Sequence, residues 1–281
     1  MDFVAFATHS VRRAMIGQVR AVFNDAARGE TPVQRSADGL FGPESVVWRV
    51  HGDVTTMMVG GVAALFLQML HPAVLAGVWD HSKFRHDMLG RLRRTARFIA
   101  LTSYASRGEA EAAIARVREI HHHIHGTLPD CTPYGADNPR LLAWVHVTEA
   151  VSFLDGWIRY AEPGMSHADQ DRYFAEFAVV AEALGADPVP HNRSEALALI
   201  AEMRADLRYD ARTRAVAKLL LEQPAPNLGA KPFQAMTFAA AIDLLPGWAR
   251  QMHHLSTPPL AGPAVRLATR RVAETLRWAF R

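Results

Sequence analysis

Residues 118–126 read Arg-Glu-Ile-His-His-His-Ile-His-Gly and place four of the chain's fourteen histidines in five positions. On a helix, His121 and His125 stand four residues apart and share a face, while His122 and His123 point elsewhere. Two histidines at that spacing can chelate a transition metal. The zinc-protease pattern needs a glutamate directly after the first histidine, where this chain has His122, so that chemistry is excluded. A di-iron bundle needs Glu-x-x-His on two different helices. Glu119 to His122 is one copy, and His146-Val147-Thr148-Glu149 runs in the reverse order. From the residues alone, the cluster is either a partly exposed polar face or the seat of a haem or metal ligand.

Two more stretches could carry chemistry. In HPAVLAGVWDHS, residues 71–82, a histidine opens and another closes a strongly apolar run. Local hydrogen bonding is one account, with His71 at a helix end and Asp80 or Ser82 as a cap. The other is that a histidine in apolar surroundings has a buried partner or a cofactor. We expect His71 and His81 to be buried. In GRLRRTARF, residues 90–98, Arg91, Arg94 and Thr95 share one helical face and Arg93 and Arg97 form a second row. Either the face is solvated, or one row turns inward to bind an anion such as a cofactor carboxylate. No Gly-rich phosphate loop follows a strand, and there is no nucleophile elbow or thiol pair.

The elements that must position these residues read as helices. In 108–125, Ala112, Ile114, Val117, Ile120 and Ile124 recur near the helical period. Helices are also expected near 5–27, 54–70, 89–105, 138–161, 168–184, 194–208, 211–222, 231–244 and 263–280. Breakers separate them, among them Pro72, Pro129, Pro133, Pro163-Gly164 and Pro258-Pro259. Asn138 before Pro139, and Ser166 before Asp169, are helix-start signals. Alternating β-branched runs and Asn-Gly or Asp-Gly turns are missing. One all-α domain over 1–281 is expected.

Composition narrows the function classes. Hydrophobic residues make up 49% of the 281 residues, ordinary for a chain with a sizeable core. The net charge is only +3 and spread along the chain, densest at 91–97, which fits solvated helix faces and no nucleic-acid partner. The single cysteine, Cys131, excludes an internal disulfide and cysteine-rich metal sites. Residues 57–79 have the length of a membrane span, with Gln68 and His71 as their polar members. Pro72 interrupts the run, so two core helices are expected rather than a stable span, with peripheral membrane contact left open. The N-terminus lacks the charged-then-apolar order of a secretion signal, and a cytoplasmic location is expected.

Together these stretches, with VREIHHHIHG and DNPRLLAWVHVT, resemble the catalytic domain shared by bacterial rubber oxygenase (latex clearing protein) and a fungal oxygenase of mycophenolic acid biosynthesis. The resemblance spans about 45–255. It implies an all-α, globin-like core holding haem b, which activates dioxygen for attack on an apolar, unsaturated molecule. Laying the family's V-x-x-x-H-x-x-V-x-G motif on Val117–Gly126 puts the iron ligand at His121, with His71, His81 and His125 as companions near the cofactor. The family's Arg-x-x-Lys-Thr segment falls on Arg91, Arg94 and Thr95, with arginine in place of lysine. An arginine stays charged, so any role for a neutral amine there is lost. The resemblance thus implies a haem oxygenase taking dioxygen and a hydrophobic small molecule, by double-bond cleavage or hydroxylation. Two alternatives stand beside it: a haem- or lipid-binding helical protein without turnover, and a non-haem metal enzyme built on His121 and His125.

Overall fold

The computed structural model describes residues 29–225, 227–256 and 261–280, together with 12, 13 and 17. The helix expected at 5–27 otherwise lies outside the described residues. Among them, twelve α-helices pack around one extensive hydrophobic core, and a single two-stranded sheet accompanies them. In chain order the helices are α1 (Val46–His51), α2 (Val54–Gln68), α3 (Pro72–His81), α4 (Met88–Tyr104), α5 (Arg107–His122), α6 (Pro139–Tyr160), α7 (His167–Leu184), α8 (Arg193–Met203), α9 (Ala211–Leu221), α10 (Lys231–Leu244), α11 (Gly247–Met252) and α12 (Ala261–Phe280). The all-α expectation holds. The short α1 and α11 offer too few turns to show a period.

Start signals act as expected. Asn138 accepts from the backbone N–H groups of Arg140 and Leu141, and Ser166 from that of Asp169. Asp53 caps α2 through Thr56 N and also accepts from Arg277 Nη1 at 2.6 Å, which ties α12 to the start of α2.

α2 and α6 form the centre. Val59, Val62, Phe66 and Leu67 of α2, with Trp144, Val147 and Leu154 of α6, are buried. Their close crossing depends on two glycines. A Cβ on Gly60 would lie 2.7 Å from the Ser152 carbonyl oxygen, and one on Gly156 would lie 3.0 Å from that of Thr56. The apolar run 57–79 is broken as Pro72 requires: α2 and α3 meet at 103°. Among the described residues no single helix is long and apolar enough to cross a membrane.

The expected helix 108–125 overran. α5 stops at His122, and His125–Thr127 (β1) pairs antiparallel with Pro133–Gly135 (β2). Strands of three residues are too short to show alternation. The connecting loop turns through Cys131, which is left-handed at φ 69°. The hairpin anchors the histidine end of α5 to α3. Tyr134 is buried and donates to Asp80 Oδ2 at 2.8 Å, and Gly77 of α3 faces Ile124 and Tyr134.

Candidate functional site

α5 presents one stripe inward. Ala110 and Ile114 are buried, and Val117, His121 and Ile124 are half-buried one turn after another. Ala112 and Ile120, counted in that stripe from sequence, are exposed, Ile120 at 47%. The period counted from sequence was right to within one position of phase. His121 Nδ1 is enclosed and has no partner among the described residues. Burial lowers the His121 pKa, Asp137 raises it and the Arg91 guanidinium lowers it, so the ring is held neutral. Neutral imidazole is the form that ligates metals.

His122 and His123 are exposed and engaged with carboxylates. Asp137 Oδ2 lies 3.3 Å from His122 Nδ1, and Glu119 Oε1 lies 2.8 Å from His123 Nε2. His121, His122, Glu119 and Asp137 border a polar cleft of about 490 Å³. His125 is exposed on β1 and does not share a helical face with His121, because the helix has already ended. Among the described residues no group of three or more His, Cys, Asp or Glu side chains is placed to hold a metal ion. His125 lies beyond the end of α5, so the helical four-residue spacing expected of a His121–His125 chelate is not the geometry found here.

α4 divides the arginine segment. Arg91 is half-buried, its Nη1 3.5 Å from Ser82 Oγ, and burial followed by the neighbouring charge of Arg94 lowers its pKa. Arg94 is exposed and pairs with Asp87 at 3.3 Å. Thr95 is exposed and spends its hydroxyl on the Arg91 carbonyl at 3.3 Å. Arg91 lines an apolar cavity of about 50 Å³ walled by Leu65, Val74, Val78, Phe84, Leu92 and Val216 among others. Arg94 and Thr95 do not line it.

His71 precedes α3 as its N-cap residue but makes no side-chain cap bond. It is half-buried, and its enclosed Nδ1 lacks a partner among the described residues. Burial lowers its pKa, against Asp206 and with Arg140. His81 is exposed, at the last turn of α3, so the expectation of burial fails there. The apolar face of α3 is carried by Val74, Leu75 and Val78, and the count from His71 puts His81 outside it.

The structure also buries or half-buries polar groups outside the stretches singled out as candidate sites. His51 is buried, with Nδ1 2.7 Å from Ser103 Oγ and Nε2 2.9 Å from Tyr173 Oη, joining α1, α4 and α7. Burial brings its pKa down to about 3. His146 is buried too, its pKa lowered to about 4 by burial and then by His191. Glu149, three residues on, is pushed up to about 7 by burial, against a hydrogen bond from Gln68. The reversed His-x-x-Glu spacing on α6 was the sequence signal for this pair, and its residues lie apart from the His121 cleft.

A family model described as ER-bound oxygenase mpaB/B′/rubber oxygenase, catalytic domain, matches residues 48–278. The chain belongs to this family. No curated protein and no solved structure gives a significant match. The match runs from α1 into α12, so the oxygenase domain includes the α2–α6 centre, the arginine segment and the histidine cluster. Its family makes the chain an oxidoreductase.

The family resemblance implies haem, and the donor set of this oxygenase domain suits it. His121 offers a neutral imidazole with an unmet buried nitrogen, on a helix end braced by the β1–β2 hairpin. Arg91 brings an enclosed cation, the chemistry that pairs with a carboxylate, and its charge is felt at His121, which borders the polar cleft and not the cavity that Arg91 lines. Ligand cavities usually measure roughly 300–1,000 Å³. The cavity beside Arg91, at about 50 Å³, is far smaller than that.

Proposed function

We propose that this oxygenase-family chain is haem b-dependent and acts with dioxygen on an apolar, unsaturated small molecule. His121 would hold the haem iron and Arg91 would pair with a haem carboxylate. The observation that carries this reading is the His121 ring: neutral, half-buried, with an unmet enclosed nitrogen, and within the field of Arg91. When bound, haem supplies the redox centre at which dioxygen is activated.

The chain's own residues supply position and environment. The hairpin and Ile124 fix the end of α5, so His121 is presented from a rigid support. Asp137 in the adjoining cleft engages His122 and not His121, whose pKa burial lowers. Leu65, Val74, Val78 and Leu92 exclude water and favour an apolar substrate. Arg94 and Thr95 support α4 from its exposed side.

An absorption spectrum of the purified protein titrated with haem tests this. A Soret band that shifts on reduction and again with carbon monoxide is expected, as is oxygen consumption with an unsaturated lipid. Protein that acquires no such band would overturn the proposal. A normal band without oxygen uptake on any unsaturated substrate would reduce the chain to a haem-binding module.

A further inference from the structure

Glu149 and Gln68 have no part in the reading above. Glu149 sits half-buried within α6, and among the described residues no cation pairs with it, although an unpaired carboxyl drawn out of water is costly. Its hydrogen-bond partner is Gln68, near the end of α2 in the most apolar stretch of the chain. Gln68 Nε2 lies 3.4 Å from Glu149 Oε1 and 3.4 Å from the Val145 carbonyl oxygen. Two acceptors around one nitrogen decide which way the amide faces. Turned over, its oxygen would meet the Val145 carbonyl, which cannot donate. The Gln68 oxygen is thereby left as an acceptor on a residue that lines the apolar cavity. Arg91 is the other polar residue of that lining, and it can only donate.

A plain hydrocarbon would strip this acceptor of water and give nothing back. A carboxylate would bring a second acceptor toward Gln68 and Glu149. A hydroxyl group can donate to the Gln68 oxygen while the remainder of the molecule meets Leu65, Val74 and Val78. We infer that Gln68, oriented by Glu149, is the specificity-determining residue of the cavity, and that the substrate is an apolar molecule carrying a hydroxyl group. The word substrate rests on the oxygenase proposal, whereas the binding preference does not. Glu149 is a positioning residue that acts through Gln68.

The test is equilibrium binding to the purified protein, with and without added haem, followed by tryptophan fluorescence. The probes are a monounsaturated alcohol, its methyl ether, the alkene of equal length and the corresponding acid. The alcohol should bind about tenfold tighter than the ether, the worth of one hydrogen bond. Gln68→Leu should bring the alcohol down to the ether's affinity and leave the ether unchanged. Glu149→Leu frees the amide to turn and should shrink the preference, while Glu149→Gln keeps an acceptor for Nε2 and should retain it. If Gln68→Leu does not fold, Gln68→Met provides the same comparison at similar length. Equal binding of alcohol and ether by the unaltered protein overturns the inference, and so does a preference that survives loss of Gln68. An alcohol preference without oxygen uptake removes the oxygenase reading alone. Oxygen uptake with no alcohol preference removes this inference alone.

Discussion

His121 shares its neighbourhood with His122, His123 and His125, and single alanine substitutions separate them. His121→Ala should lose the native ligation spectrum on haem titration, with partial return on adding imidazole. The other three are exposed, two of them held by Glu119 or Asp137, and their alanine variants should keep it. A normal spectrum from His121→Ala would place the ligand elsewhere. Arg91 and Arg97 offer a matched pair on one helix. Arg91 lines the cavity, whereas Arg97 reaches out to the Thr31 carbonyl at 2.9 Å. Arg91→Ala should lower haem occupancy severalfold and Arg97→Ala hardly at all. Similar small effects of both would return α4 to a solvated basic face.

Between elements, the α2–α6 crossing leaves no room for a methyl group at Gly60, where two of the three nearest atoms, including the closest, are backbone. Gly60→Ala should therefore separate the two helices and cost about 1–3 kcal/mol, as overpacking does. Gly61, its neighbour, is the control. A Cβ there meets only Phe153 Cε1 at 3.7 Å, an ordinary contact. Gly61→Ala should be neutral or stabilise by up to about 1 kcal/mol through helix propensity. Urea denaturation of the two variants decides this, and equal effects would mean that the crossing tolerates a wider spacing. The same crossing carries Gln68 and Glu149 on facing helices, so Gly60→Ala should also weaken any alcohol preference of the cavity.

For the whole molecule, the buried ionisable groups set how stability changes with pH. His51 and His146 titrate near 3 and 4 in the folded chain and near 6.5 when unfolded. The unfolded state therefore binds more protons below 6.5, and this stability is lost as pH falls from 6.5 toward 4 and then 3. Glu149 is the opposite case, at about 7 folded against 4.5 unfolded. Its contribution is present below 4.5 and lost as pH rises through about 7. Each group changes stability by roughly 1.4 kcal/mol per pH unit inside its window. Maximum stability is expected between about pH 6 and 7. Glu149→Gln should flatten the decline from pH 6 to 8 in thermal melts and change little near pH 4.5. A melting temperature of the unaltered protein that keeps rising to pH 8 would show the carboxyl to be charged.

Local rules carried most of the secondary structure. The caps at Asn138 and Ser166, the break at Pro72 and the long helices from 54 onward were legible because each depends on neighbours a few residues away. The motif order at 71–82, 90–95 and 117–126 likewise contained the family, since it needs no distances. The sequence could not say where α5 stops, because the hairpin that ends it is stabilised by Tyr134 reaching Asp80, 54 residues away in the chain. Nor could it choose among arginines at adjacent turns. That choice follows from the side of α4 that meets the cavity, which placed Arg91 inside and Arg94 and Thr95 outside. Gln68 and Glu149 are 81 residues apart and fit no motif. Only the packing of α2 against α6 joins them, because burial and pairing belong to the packed chain and not to the residue.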